Sequence, residues 1–159
     1  MTGKVKHIPD GYHAATPCLT VKDAARAIEY YKKAFGATEI MRFAHEGKIA
    51  HAEIKIGDSM IMLSDEFPEM GARSPQSVGG TPAAIHLYVE NVDTIFDRAV
   101  TGGGKEIRPV DDKFYGDRTG TLQDPFGHVW HVATHKEDVA PDELKKRADA
   151  AMKKMHGKK

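Results

Sequence analysis

The chain has 159 residues, 40% of them hydrophobic, which is enough for one compact domain with a core. Lysine plus arginine and aspartate plus glutamate both number 23, so no net field draws the chain to nucleic acid or to an anionic membrane. No stretch approaches the ~20 apolar residues of a membrane span, and the first ten residues lack an apolar h-region, which predicts a cytoplasmic protein with neither membrane nor nucleic acid as partner. The single cysteine, Cys18, excludes an internal disulfide and a thiolate zinc site, and is expected as a small buried hydrophobe.

Residues 14–21 alternate, with Ala15, Pro17, Leu19 and Val21 on the more apolar side, and predict a strand whose apolar side faces a helix. Over 23–35 the apolar Ala24, Ala27, Ile28, Tyr31 and Phe35 recur at spacings of three and four. That spacing predicts an amphipathic helix, begun by Asp23 and capped by Gly36. Strands are expected at 38–44, 48–56 and 59–64, separated by tight turns at Glu46, Gly47 and at Gly57, Asp58. In the middle strand Ala50, Ala52, Ile54 and Ile56 form an apolar face opposite His51, Glu53 and Lys55. The polar face is either solvated or one wall of a cleft. The Pro and Gly residues of 65–81 predict a connector without a regular element, serving as a plain crossover or as a lid.

The second half repeats the order. A strand at 82–89 places Ile85, Leu87 and Val89 on one side and Ala84, His86 and Tyr88 on the other. A helix over 92–100 ends in Gly102, Gly103 and Gly104, which follow a helix and therefore read as a cap rather than as a phosphate cradle. A strand at 105–110 leads into an irregular loop at 111–116, which brings Phe114, Tyr115 and Arg118 to the rim of a final hairpin. That hairpin comprises strands at 118–123 and 128–134 around the turn Asp124, Pro125, Phe126, Gly127. Trp130 shares parity with Val132 and is expected as a core anchor beneath a helix. A last helix, 141–155, carries Asp142 and Glu143 in its first turn, Lys153 and Lys154 in its last, and an apolar stripe from Leu144 to Met155. Its basic residues have no interleaved aromatics and read as a solvated helix end, not a nucleic-acid arm.

Leu19, Thr20, Val21 and Phe35, Gly36 are answered by Leu87, Tyr88, Val89 and Gly102 at an offset of roughly 70 residues, as expected of an internal repeat. The reading is a single α+β domain of two βαβββ modules, the first about 13–64 and the second about 82–135, with the C-terminal helix beyond.

The opening Leu19, Thr20, Val21, then Ala24, Ile28, Glu29, Tyr30, Tyr31, Phe35 and Gly36, together with Asp124, Pro125, Phe126, Gly127, His128, Val129 and Trp130, resemble the vicinal oxygen chelate superfamily. Within it, Tyr115, Gly116, Asp117 and Arg118, followed by Thr134, His135, Glu137 and Asp138, are similar to the PhnB-like glyoxalase/bleomycin-resistance group. The resemblance covers about residues 13–150. It implies curved mixed sheets around a cleft, usually completed in a homodimer. Members include metal-dependent lyases, isomerases and ring-cleaving dioxygenases, and also metal-free proteins that sequester an antibiotic. The positions of the family's metal ligands fall on Thr16, Met62, Ala84 and His131, of which only His131 is a ligand of the usual kind. No cofactor and no metal is therefore expected, with a divalent metal kept as an alternative.

The motifs of a nucleophile elbow, a phosphate-binding loop and a zincin helix are absent from the sequence. Two readings stay open. The first is a binding module for a small organic molecule, with Thr16, Cys18, Met60, Met62, Ala84 and Tyr88 forming an adaptable wall and Tyr115 at its rim. The second is an enzyme with His86, His131 and Arg118 as catalytic candidates, supported by His51 and Glu53. His86 and His131 are expected close together, as a general base, as two ligands joined by Glu53 or His51, or as plain hydrogen-bonding side chains. His7, His13 and His156 are expected to be exposed and inert. Open sheet edges and the Leu144–Met155 stripe predict a homodimer.

Overall fold

Asp23 accepts a hydrogen bond from the Arg26 N–H at 3.1 Å, and Gly36 closes the other end at φ 68°, so helix α1 runs Ala24–Phe35 as its spacing predicts. The computed structural model describes residues 3–157 and divides into two compact units. The first unit is the chain up to Pro82 together with Pro125–His128, and the second is Ala83–Asp124 together with the chain from Val129 onward.

In the first unit, strands β1 (Cys18–Val21), β2 (Thr38–His45), β3 (Lys48–Ile56) and β4 (Ser59–Asp65) form a curved, open, mixed sheet in the order β1-β4-β3-β2, with β1 parallel to β4. Leu19, Val21, Ile54 and Leu63 are buried with Ala27, Ile28 and Tyr31 of α1. At the head of that helix the buried Asp65 carboxylate accepts from the backbone N–H groups of Ala24 (2.8 Å) and Ile49 (2.6 Å). Two expectations change here. Because Leu19 and Val21 take the helix side, Cys18 points the other way and is exposed, not buried. In β3 the register passes from Phe43↔His51 to Ala44↔Ile49, leaving Ala50 as an unpaired bulge residue. A bulge shifts the alternation by one, so Ile49 is buried and Ala50 is exposed, the reverse of strict parity.

The 65–81 connector also holds short regular turns, a 3-10 turn at Pro68–Met70 and a one-turn helix α2 (Pro75–Val78) capped by Ser74. Pro125–His128 are set into this unit. The buried Phe126 ring meets Tyr30 and Tyr31 edge-on at 6.2 and 6.3 Å, and the Arg26 guanidinium lies 5.9 Å from its centre. Gly127 (φ 92°) lies so close to Pro75 that a Cβ there would approach Pro75 Cβ to 2.8 Å.

The second unit repeats the topology with β5 (Ala84–Tyr88), α3 (Val92–Thr101), β6 (Lys105–Asp112), β7 (Asp117–Gln123) and β8 (Val129–His135), ordered β5-β8-β7-β6, with β5 parallel to β8. Asn91 caps α3, whose Val92, Phe96 and Ala99 are buried. Strand β6 continues two residues into the segment expected as loop. Leu122, Trp130 and Val132 are fully buried on the α3 side, and Trp130 Nε1 donates to Asp124 at 2.9 Å. Gly120 is required there by space: a Cβ would lie 2.7 Å from the Phe96 ring and 2.9 Å from Val110. The terminal helix α4 (Pro141–His156) has no buried residue. Arg147 ties it to Glu137 through two hydrogen bonds of 2.9 Å. Leu144, Ala148 and Ala151 are half-buried while Met152 and Met155 are exposed, so only part of the stripe is covered. No helix among the described residues is long and apolar enough to cross a membrane.

Candidate functional site

Cross-strand partners share a face, so one row of register partners defines what a sheet presents on that face. In the second unit the register gives His86↔His131, His131↔Thr121 and Thr121↔Arg108, a single row running across all four strands. Its side chains lie opposite α3, because Gly120, Leu122, Trp130 and Val132 occupy the alternate positions. The row lines a concavity of about 220 Å³, completed by Lys113, Tyr115 and Thr119.

The two imidazole rings lie 5.9 Å apart, and His86 also meets the Tyr88 ring at 4.9 Å. Thr121 Oγ1 and His131 Nδ1 are 2.8 Å apart. Burial, and then the nearby His86 and Arg108, push His131 below the usual histidine range, favouring the neutral ring. If the Thr121 hydroxyl donates to Nδ1, the neutral ring carries its proton on Nε2.

Beside this row the buried Asp117 carboxylate accepts from the Tyr88 hydroxyl at 2.8 Å and pairs with His135 Nδ1 at 2.7 Å. Burial opposes ionisation of Asp117, but the hydrogen bonds from His135 and Tyr88 outweigh it and hold the carboxyl below its ordinary range. The same bond to Asp117, with a second to Asp138 at 2.8 Å, raises His135. Tyr115 is pushed up by burial and by the Asp117 charge.

The equivalent row of the first unit is Cys18↔Met62↔Glu53↔Met41. Glu53 accepts a hydrogen bond from the Tyr12 hydroxyl and lies 3.1 Å from His51 Nε2. Those two bonds lower Glu53, while burial and the Glu53 contact push Tyr12 up to about 12. A concavity of about 470 Å³ lies here, lined by Tyr12, Thr16, Glu53 and Met62 and by Ile8 and Pro9 of the amino-terminal segment. His7 and His13 are exposed at its edge.

The expected residues thus fall into two groups. Thr16, Glu53 and Met62 line the first unit's concavity, with His51 bonded to Glu53 and Cys18 beside Met62 in register. His86, His131 and Tyr115 meet in the second, where Tyr88 is tied to Asp117. Ala84 lies two residues along β5, paired with Val129. Arg118 does not join them. It lies on the α3 face, held by Asp93 through two bonds of 2.8 Å and by Asp112 at 3.3 Å.

Arg108, Lys113 and Thr121 were not anticipated. Parity counting misplaces Arg108, because β6 slips register on both sides of it. Tyr12 and the Asp117–His135 pair depend on contacts distant in sequence, which periodicity does not report.

At the positions to which the resemblance assigns metal ligands, Thr16 and Met62 offer a hydroxyl and a thioether, Ala84 offers no donor, and His131 is bonded to Thr121 through Nδ1. Among the described residues no three His, Cys, Asp or Glu side chains are grouped to hold a metal ion.

Comparison with known proteins agrees with the topology. Uncharacterized proteins of Mycobacterium bovis and Mycobacterium tuberculosis are 43% identical over 135 residues, covering 82% of this chain and 89% or 79% of theirs. In fold the chain is similar to TioX from a Micromonospora species (TM-score 0.61, 23% identity, 80% of this chain and 100% of that one). It is also similar to a PhnB protein from Bacillus cereus (TM-score 0.58, 19% identity, 77% and 99%). The model of the glyoxalase/bleomycin resistance protein/dioxygenase superfamily matches residues 11–132. The chain belongs to that superfamily.

Proposed function

We propose that the protein is a PhnB-like, small-molecule-binding member of its superfamily, cytoplasmic and homodimeric, which holds a small organic molecule on the open face of the second unit's sheet. The observation that carries this reading is the row His86, His131, Thr121 and Arg108 lining one concavity. Polar groups on four strands converge there over a rigid sheet, which is the arrangement of a pre-formed binding site. The dimer is supported by α4, where Met152 and Met155 are 51% and 67% exposed, and by Phe43, 61% exposed on β2.

A screen of small organic compounds read by the histidine ring signals tests the site. Binding is expected to move the His86 and His131 signals and to leave that of His156, on α4, in place. A broad screen that moves neither ring would refute the reading. Sedimentation at tens of micromolar should show a dimer, and a pure monomer there would remove the dimer from it.

A further inference from the structure

We propose that the second unit's concavity is an anion site, taking a small carboxylate- or phosphoryl-bearing molecule, with Arg108 as its principal grip and Lys113 as the second charge. This rests on the reading above and assigns its ligand class. The lining consists of two permanent cations, two imidazoles and three hydroxyl side chains, with no carboxylate. The Arg108 guanidinium has no carboxylate within ion-pair distance among the described residues, a condition it shares with Arg26, Arg73 and Arg98, and it stands in the concavity's lining beside Lys113.

One nearby acid pairs with the lining: Asp111 lies 3.6 Å from Lys113 Nζ, at the long end of an ion pair, and also accepts the Asp112 N–H at 2.8 Å, while Asp117 is occupied by Tyr88 and His135. A guanidinium in a row with two imidazoles, opposite no acid, lacks its usual partner, and an oxoanion supplies one in fork geometry. His131 is lowered first by burial and only then by the neighbouring His86 and Arg108. Size limits the ligand. The concavity of about 220 Å³ equals about seven waters at ~30 Å³ each, room for a charged head with a short carbon body. Thr119 donates its hydroxyl to the Val132 carbonyl at 2.9 Å and Thr121 is bonded to His131, which leaves the charged groups, the imidazoles and the Tyr115 hydroxyl as donors to the ligand.

The full chain is titrated calorimetrically with inorganic phosphate and, separately, with succinate, at constant ionic strength made up with chloride. At least one of the two should bind saturably at a single site. That affinity should fall tenfold or more in Arg108→Gln and severalfold in Lys113→Gln, and be unchanged in Lys154→Gln on α4. Arg108 is exposed, so its variant folds. Preference between the probes decides between a phosphoryl and a carboxylate head. Absence of saturable binding by either, or wild-type affinity in Arg108→Gln, overturns the proposal. Phenol and glycerol, followed by the His86 and His131 ring signals, separate the two levels. A response to a neutral probe without any response to the anions leaves a binding site and removes its anion class. Silence toward all four probes removes both.

Discussion

Asp117 invites a substitution that removes charge without removing hydrogen bonds. In Asp117→Asn the side-chain oxygen accepts from His135 Nδ1–H, and the amide donates to the Tyr88 oxygen, so both contacts of 2.7 and 2.8 Å can survive with altered roles. What is lost is the charge assistance, ~1.5–3 kcal/mol for a bond to an ionised group against ~1 kcal/mol for a neutral one. Because His135 is half-exposed, the low end applies, and the expected destabilisation is about 1–2 kcal/mol. The pH dependence follows from the two shifts. His135 is raised in the folded protein, so its contribution is complete below its unfolded value of about 6.5 and is lost as pH rises through the folded one. Asp117 is lowered, so its contribution is present above about 3.9 and is lost as pH falls through the folded value. The difference between wild type and variant should therefore be largest between about pH 4 and 6.5, and smaller by about pH 9. Urea unfolding of both proteins at about pH 5.5 and 9 measures it. Equal destabilisation at the two pH values would refute the ion-pair account of His135.

Gly120→Ala should destabilise the second unit by about 1–3 kcal/mol through overpacking against Phe96 and Val110, with part of the loss recovered by adding Phe96→Leu. Urea midpoints of the single and double variants check this, and a Gly120→Ala protein as stable as wild type would mean that the close approach is not real. Phe126→Ala should cost about 3–5 kcal/mol, because its ring is buried against Tyr30 and Tyr31. A loss below about 1 kcal/mol in the same assay would place Phe126 outside the core.

The elements and their duplication were legible because α1 and α3 carry clear three-and-four spacings between a polar cap and a glycine, and the strands between them alternate. Alternation assigned the faces of His86, His131 and Trp130, while the closeness of the two histidines came from the resembled fold, in which a module's first and last strands are neighbours. Alternation failed at bulges. Ala50 in β3 and the irregular β6 around Arg108 each break a count of two, and the guanidinium of the candidate site sits in the second of these. Cys18 was misjudged for a different reason. Its burial was argued from residue type, whereas its strand parity already placed it opposite Leu19 and Val21. Arg118 lay near the hairpin in sequence, but only the folded chain shows that Asp93 of α3 has captured it. Tyr12 sits in a segment with no periodicity at all, and its hydrogen bond to Glu53 spans 41 residues.

The two matching rows, Cys18–Met62–Glu53–Met41 and His86–His131–Thr121–Arg108, occupy the same four places in two copies of one architecture. Side chains on an open sheet face are separable from the packing beneath them, so each copy can change this row without repacking its helix. The repeated topology thus carries two separately editable surfaces on like frames. One is thioether-rich and acidic and the other basic, so a shared backbone pattern leaves selectivity to four positions at a time.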